Sequence, residues 1–328
     1  MKKFMNDVDA ILTQSLEGFG RAHQDLVSIH QDPTFVTRKA PTRDGKVALI
    51  SGGGSGHEPL HAGFVGVGML DAACPGQVFT SPTPDQMLAA AQAVDSGAGV
   101  LLIVKNYDGD VMNFEMAEEM SDGTIASVLV NDDVAVEKST FTTGRRGVAG
   151  TIVVEKIVGA AAEDGADLAS LKALGERVNA ATRSMGIALT SCTVPAAGSP
   201  TFDLGADEIE LGVGIHGEPG RERMQLQSAD ELTAILVDAT LKELDPASGD
   251  EFLLLVNGFG GTPLMELYLL FDVASRQIEA KGLTIGRSMV GNLCTSLDMA
   301  GASITVTKLD DELKALWDKP VHTAALRW

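Results

Sequence analysis

The chain has 328 residues, 45% of them hydrophobic and 21% charged, and a formal net charge of −20. This size and hydrophobic content fit one large or two ordinary domains with real cores, not a disordered chain. The acidity argues against nucleic acid and anionic membrane surfaces as partners, because both call for basic patches.

The first residues, MKKFMNDVDAILTQSLEGF, are basic at two positions only, and Asp7, Asp9 and Glu17 then interrupt the pattern, so no signal peptide is expected. No run approaches the ~18 apolar residues of a membrane span. Cys74, Cys192 and Cys294 are widely spaced with no C-x-x-C pair, which suggests a reducing compartment and no structural zinc. A cytoplasmic protein is the expectation.

Short apolar runs then alternate with helical periodicities. VALI (47–50), GVLLIVKN (99–106) and IASVLVND (125–132) read as buried strands. The stretch 81–97 reads as a helix, with Pro84 and Asp85 in its first turn and Gly97 at its end. Residues 147–186 read as two helices broken near Gly165. Strands are expected at 186–195, 208–215, 251–260, 283–291 and 302–310, and helices at 228–245 and 262–282. The alternation predicts an α/β protein of two α/β domains, residues 1–185 and 186–328. Ligands of open α/β sheets sit at the carboxyl ends of strands. Three loops are expected there, Gly52–Pro59, Tyr107–Asp110 and His216–Gly220.

Five motifs carry possible chemistry. HEPLH (57–61) matches the H-E-x-x-H pattern of zinc hydrolases, which needs both histidines on one helix face. Pro59 and the preceding glycines argue for a loop instead. GGGSGH (52–57) follows a strand but has no phosphate-binding lysine. It reads either as a tight turn that needs positive φ or as a backbone cradle for a small polar ligand, with His57 pointing in. YDGD (107–110) offers Asp108 and Asp110 as oxygen ligands for a metal, as a solvated turn, or as a general base at a strand end. Arg145 and Arg146 of TGRRG (143–147) are able to hold an anion, with a surface pair as the default. ELGVGIHGEPG (210–220) surrounds His216 with glycines. Neutral imidazole is a nucleophile near its ordinary pKa of about 6.5, and small neighbours leave room for a substrate to reach the ring.

Taken in order, GKVALISGGGSGHEPLHAGF, VLLIVKNYDGDVMNFEMA, TTGRRGVAGT, TVPAAGSPTF, GVGIHGEPG, CTSLDMAGASIT and LWDKPVHTAALRW resemble the substrate-binding K subunits of the dihydroxyacetone kinase family. The resemblance runs over essentially the whole chain. It implies that His216 binds the ketone carbonyl of dihydroxyacetone covalently, as a hemiaminal. It implies that His57 contacts substrate hydroxyls and assists proton transfer, that Asp110 is the base for the reacting hydroxyl, and that Gly54 and Lys105 lie in ligand-contact stretches. The substrate site would lie between the two domains. No metal or cofactor is expected on this chain. ADP/ATP with magnesium would sit on a nucleotide-bearing L subunit, which an M subunit recharges from the phosphoenolpyruvate-dependent phosphotransferase system, and the chain would be a homodimer. The alternative within the family is a non-catalytic paralogue that captures dihydroxyacetone and acts as coactivator of a transcription regulator. Asp108 departs from the neutral residue expected in NYxGD, and a second carboxylate facing the site would raise the pKa of Asp110.

Overall fold

The computed structural model describes residues 2–135 and 144–328. Thr142 and Thr143, which open the TTGRRGVAGT stretch, lie outside the described residues. In chain order the elements begin with α1 (Ile11–Ala22), β1 (Val27–His30), β2 (Phe35–Arg38), β3 (Ala48–Ser55), β4 (Gly66–Val67), β5 (Ala72–Val78), α2 (Pro84–Val94), β6 (Val100–Lys105), α3 (Asp108–Met120) and β7 (Ile125–Val130). They continue with α4 (Gly150–Glu163), α5 (Leu168–Ala180), β8 (Thr182–Ala188), β9 (Glu208–Leu211), β10 (Glu222–Gln225) and α6 (Ala229–Leu244). The last are β11 (Glu251–Gly258), α7 (Leu264–Ala280), β12 (Thr284–Gly291), β13 (Gly301–Leu309), α8 (Asp311–Trp317) and β14 (His322–Thr323).

The chain forms two compact units, each discontinuous in sequence. The first holds residues 1–130, 154–177 and 316–328, and the second holds 131–153 and 178–315. The single division expected at residue 185 therefore differs from the contact pattern. The chain changes unit within α4, returns before β8, and closes on the first unit after β13.

The first unit carries a six-stranded sheet in the order β1-β2-β5-β3-β6-β7, in which β5, β3, β6 and β7 are parallel. Every residue of VLLIVK in β6 is buried, as a parallel strand covered on both faces requires. On one face, α2 and α3 pack Met87, Ala90, Phe114 and Ala117 against Ile50, Leu102 and Val104. Helix α2 starts where Pro84 supplies a preset φ and the Thr83–Gln86 capping box satisfies free N–H groups.

The second unit carries the order β10-β9-β8-β13-β11-β12. Only β11 and β12 are parallel in it; the other pairs are antiparallel. The alternation of strands and helices correctly indicated mixed α/β architecture, but not this difference between the sheets. Helices α6 and α7 bury Leu236, Val237, Leu267 and Ile278 against Phe252, Leu254 and Ile304. Ser228 and Glu231 form the capping box of α6. The expected break between α4 and α5 falls at Gly165, whose φ of 91° suits glycine. The strand expected at 186–195 begins four residues earlier, at Thr182, and ends at Ala188.

Candidate active site

In the first unit the candidate residues gather where β3 and β6 end. The glycines 52–54 correct the expectation of a turn. They are extended residues of β3, and the positive φ belongs to Gly56, at 105°. Their lack of a side chain serves close approach. A Cβ on Gly52 would come within 2.5 Å of the Cys74 carbonyl oxygen, and one on Gly54 within 2.5 Å of the Thr80 backbone nitrogen. A Cβ on Gly53 would overlap the Lys105 ammonium. The glycines thus let a neighbouring backbone and a buried lysine fill the space beside the strand.

After β3 the chain bends through His57 into turns and a short 3-10 segment, Ala62–Phe64. HEPLH is therefore not helical, and its two histidines serve different contacts. His57 is fully buried, with its ring stacked on Phe79 at 5.1 Å between centroids and 16° between planes. His61 places Nδ1 2.6 Å from Oε1 of Glu155 and Nε2 3.0 Å from Nζ of Lys105. Burial, then the Lys105 and His57 charges, push the His61 pKa well below its ordinary value. Glu155, buried within α4, is pushed up to about 8 by desolvation, with Lys105 pulling the other way.

Lys105, the last residue of β6, donates to the Gly52 carbonyl at 3.0 Å and to Oδ2 of Asp110 at 3.3 Å. Asp110 lies in the first turn of α3 and is 3% exposed, whereas Asp108 is exposed. The two carboxylates of YDGD therefore do not share one environment, and Asp108 does not face the site with Asp110. The motif is the opening turn of a helix, not the loop expected. Among the described residues, no three His, Cys, Asp or Glu side chains converge as a metal-binding group. A cavity of about 550 Å³ lies in the same unit, bordered by Gly53, Gly54, His61 and the α1 residues Leu16 and Phe19.

In the second unit His216 is half-buried and follows β9 in a glycine-rich loop. Gly212 and Gly217 have φ of 75° and 72°. The His216 backbone N–H donates to Oε2 of Glu218 at 2.9 Å, and Gly214 leaves the space that the Glu218 carboxylate occupies. Arg146 braces the loop from beneath. It donates to the Gly212 carbonyl at 2.7 Å and pairs with Asp133 at 2.7 Å and Glu218 at 3.3 Å. Arg146 is 1% exposed, which corrects the surface-pair expectation: its charge is matched by internal carboxylates. Burial pushes the Asp133 pKa up and Arg146 pulls it back. Arg145 pairs instead with Glu243 at 2.5 Å.

Residues 17–325 match the family model described as the Dak1 domain. The chain belongs to the Dak1 family. This Dak1 chain is 49% identical to the dihydroxyacetone-binding subunit DhaK of the PEP-dependent dihydroxyacetone kinase of Escherichia coli K12, a match covering 100% of this chain and 99% of the relative. It is 52% identical to the corresponding subunit of PTS-dependent dihydroxyacetone kinase 1 of Listeria innocua, over 95% of each chain. Among solved structures it is similar to a dihydroxyacetone kinase operon co-activator, with a TM-score of 0.89 and 33% identity over 98% of both chains. The Dak1 relatives are thus kinase subunits and a co-activator built on one fold, as the sequence resemblance implied.

The amino-acid order of this Dak1 chain left Glu155 without a role, took Arg146 by default as half of a surface pair, and set His61 aside as half of a spurious zinc motif. A signal existed for Glu155: it and Lys156 interrupt an apolar helix, GTIVVEKIVGAAAE, where an ionisable pair demands partners. For the burial of Arg146 there was none, because its partners Asp133 and Glu218 lie 13 and 72 residues away.

Proposed function

We propose that this chain is the dihydroxyacetone-binding subunit of a phosphoenolpyruvate-dependent dihydroxyacetone kinase. A ring nitrogen of His216 adds to the ketone carbon, the carbonyl oxygen takes up the proton that the ring releases, and a hemiaminal results. Glycerol has no carbonyl and is refused at this step. Asp110, with His57 assisting, then accepts the proton of a terminal hydroxyl as its oxygen attacks the γ-phosphorus of ATP held by an L subunit, the bond from that phosphorus to the β-phosphate oxygen breaks, and ADP stays on the L subunit. Gly54 and Lys105 lie in the stretches that border the substrate. The active form is a homodimer, and an M subunit recharges the L subunit.

The observation that carries the kinase reading is the buried Lys105–Asp110 pair, 3.3 Å apart beside the end of β3. A module that only captures a ketone needs His216 but no base. The likeness to the operon co-activator favours the second reading, capture without chemistry. One experiment separates them. The chain is mixed with [2-13C]dihydroxyacetone and a charged L subunit; loss of the carbonyl resonance reports capture, and appearance of dihydroxyacetone phosphate reports turnover. Kinase function requires both. Capture without turnover across several L subunits would leave the co-activator reading. His216→Ala should abolish capture, and Asp110→Asn should preserve it while removing turnover by ~100-fold or more.

A further inference from the structure

We propose that His61 and Glu155 are positioning residues: together they fix the Lys105 ammonium against Asp110 and so hold the base in place. This rests on the reading of Asp110 as the base for the substrate hydroxyl.

The argument is a count of donors and acceptors. An ammonium has three N–H donors and no acceptor. Around Lys105 Nζ stand three acceptors: the Gly52 carbonyl at 3.0 Å, Asp110 Oδ2 at 3.3 Å and His61 Nε2 at 3.0 Å. The third contact works only if Nε2 offers its lone pair. The imidazole must then be neutral, with its proton on Nδ1, and that N–H donates to Glu155 Oε1 at 2.6 Å. Glu155 thus selects the tautomer, the tautomer supplies the acceptor, and the acceptor directs the ammonium. The titratable groups facing His61 are Glu155 from α4, Lys105 from β6 and His57 from its own loop, and burial, then Lys105, then His57, oppose a second proton on the ring.

The packing admits little else. Lys105 and Glu155 are fully buried, and Lys105 Nζ occupies the space that a side chain at Gly53 would take. Without the Nε2 acceptor, one N–H of a wholly buried ammonium loses its partner, which favours proton loss or movement away from Asp110. Oδ2 of Asp110 then loses its tether, and a base misplaced by about 1 Å loses much of its rate advantage. Capture depends on His216 and is left untouched.

The test pairs isosteres that keep or remove the hydrogen bonds. In His61→Gln the carboxamide oxygen still accepts from Lys105; in His61→Leu nothing does. Glu155→Gln still accepts from Nδ1–H; Glu155→Leu does not. With a charged L subunit, the two Leu variants should lose ~30-fold or more in kcat, with KM for dihydroxyacetone and the 13C capture signal within ~3-fold of wild type. The Gln variants should stay within ~5-fold in kcat. Gln variants as damaged as their Leu counterparts, or all four near wild type, would overturn the proposal. Ring 15N shifts of histidine-labelled protein provide a readout that needs no turnover. They should show His61 protonated at Nδ1 and bare at Nε2, and a proton on Nε2 would overturn the assignment even where the kinase reading stands. A wild-type chain without turnover but with the expected tautomer would count against the kinase reading alone.

Discussion

Replacing Gly54 by alanine tests whether the close approach beside β3 sets the geometry of the site. A Cβ there would lie 2.5 Å from the Thr80 nitrogen and 2.7 Å from both Cα and the carbonyl carbon of Phe79. Ordinary contact begins near 3.4 Å, so these atoms must retreat by about 0.7–0.9 Å. All three are backbone atoms, and no rotamer change relieves them. Phe79 already has a positive φ of 56°, which leaves it little freedom to adjust. Its ring is stacked on His57, so a retreating Phe79 takes His57 with it or leaves it unsupported. Overpacking of this kind costs about 1–3 kcal/mol in stability, and a displacement approaching 1 Å at a proton-transfer site costs up to ~100-fold in rate. Urea denaturation measures the first and turnover with a charged L subunit the second, while 13C capture should persist because His216 lies in the other unit. Gly18→Ala is the control: nothing lies within 4 Å of its Cβ, and in a helix the change should stabilise by about 0.5–1 kcal/mol. A Gly54→Ala chain that turns over like wild type would refute the reasoning, as would one that loses capture together with turnover while remaining folded.

Arg146→Leu should lower stability to urea by about 3–5 kcal/mol, because it leaves the buried Asp133 carboxylate uncompensated; a loss below about 1 kcal/mol would show that the loop does not depend on this brace. The pH dependence of stability should change in Glu155→Gln. The native carboxyl titrates near 8 rather than 4.5, so between those values the unfolded chain releases a proton that the folded chain keeps. Wild-type stability therefore loses up to about 1.4 kcal/mol per pH unit from this group as pH rises through that window, and none of it below the unfolded value. Denaturation at pH 5, 7 and 9 should show the variant gaining on wild type with each step, and a constant gap would contradict the assignment.

Much of this was readable in the amino-acid order because the relevant forces are local. The Thr83–Gln86 and Ser228–Glu231 caps, the Gly165 break and the fully apolar β6 all announce themselves within a few residues. His57 and Asp110 stood out as candidates because they lie just beyond the ends of strongly patterned strands, whereas Lys105 came only from the family resemblance. The unread features depend on distant neighbours. Three glycines in a row look the same whether they make a turn or admit a lysine from β6, and only the second is true at Gly53. Glu155 meets His61 across 94 residues of sequence. The strands β1 and β2 escaped notice because each has only four residues, and β5 because it contains Pro75, which ordinarily speaks against a strand interior.

The second unit is inserted into the first. Residues 316–328 return to β4 and α4: β14 pairs with β4, Ala325 N–H donates to the Gly63 carbonyl, and the Trp328 ring lies beneath the Lys156 ammonium at 5.6 Å. During synthesis, the ribosome must therefore deliver all of residues 178–315 before the opening 130 residues can find their last partners. Until then the surface around Gly63 and Gly66, close in sequence to His57 and His61, and around Lys156 stays uncovered. The order of emergence makes the earliest-made unit the last to close.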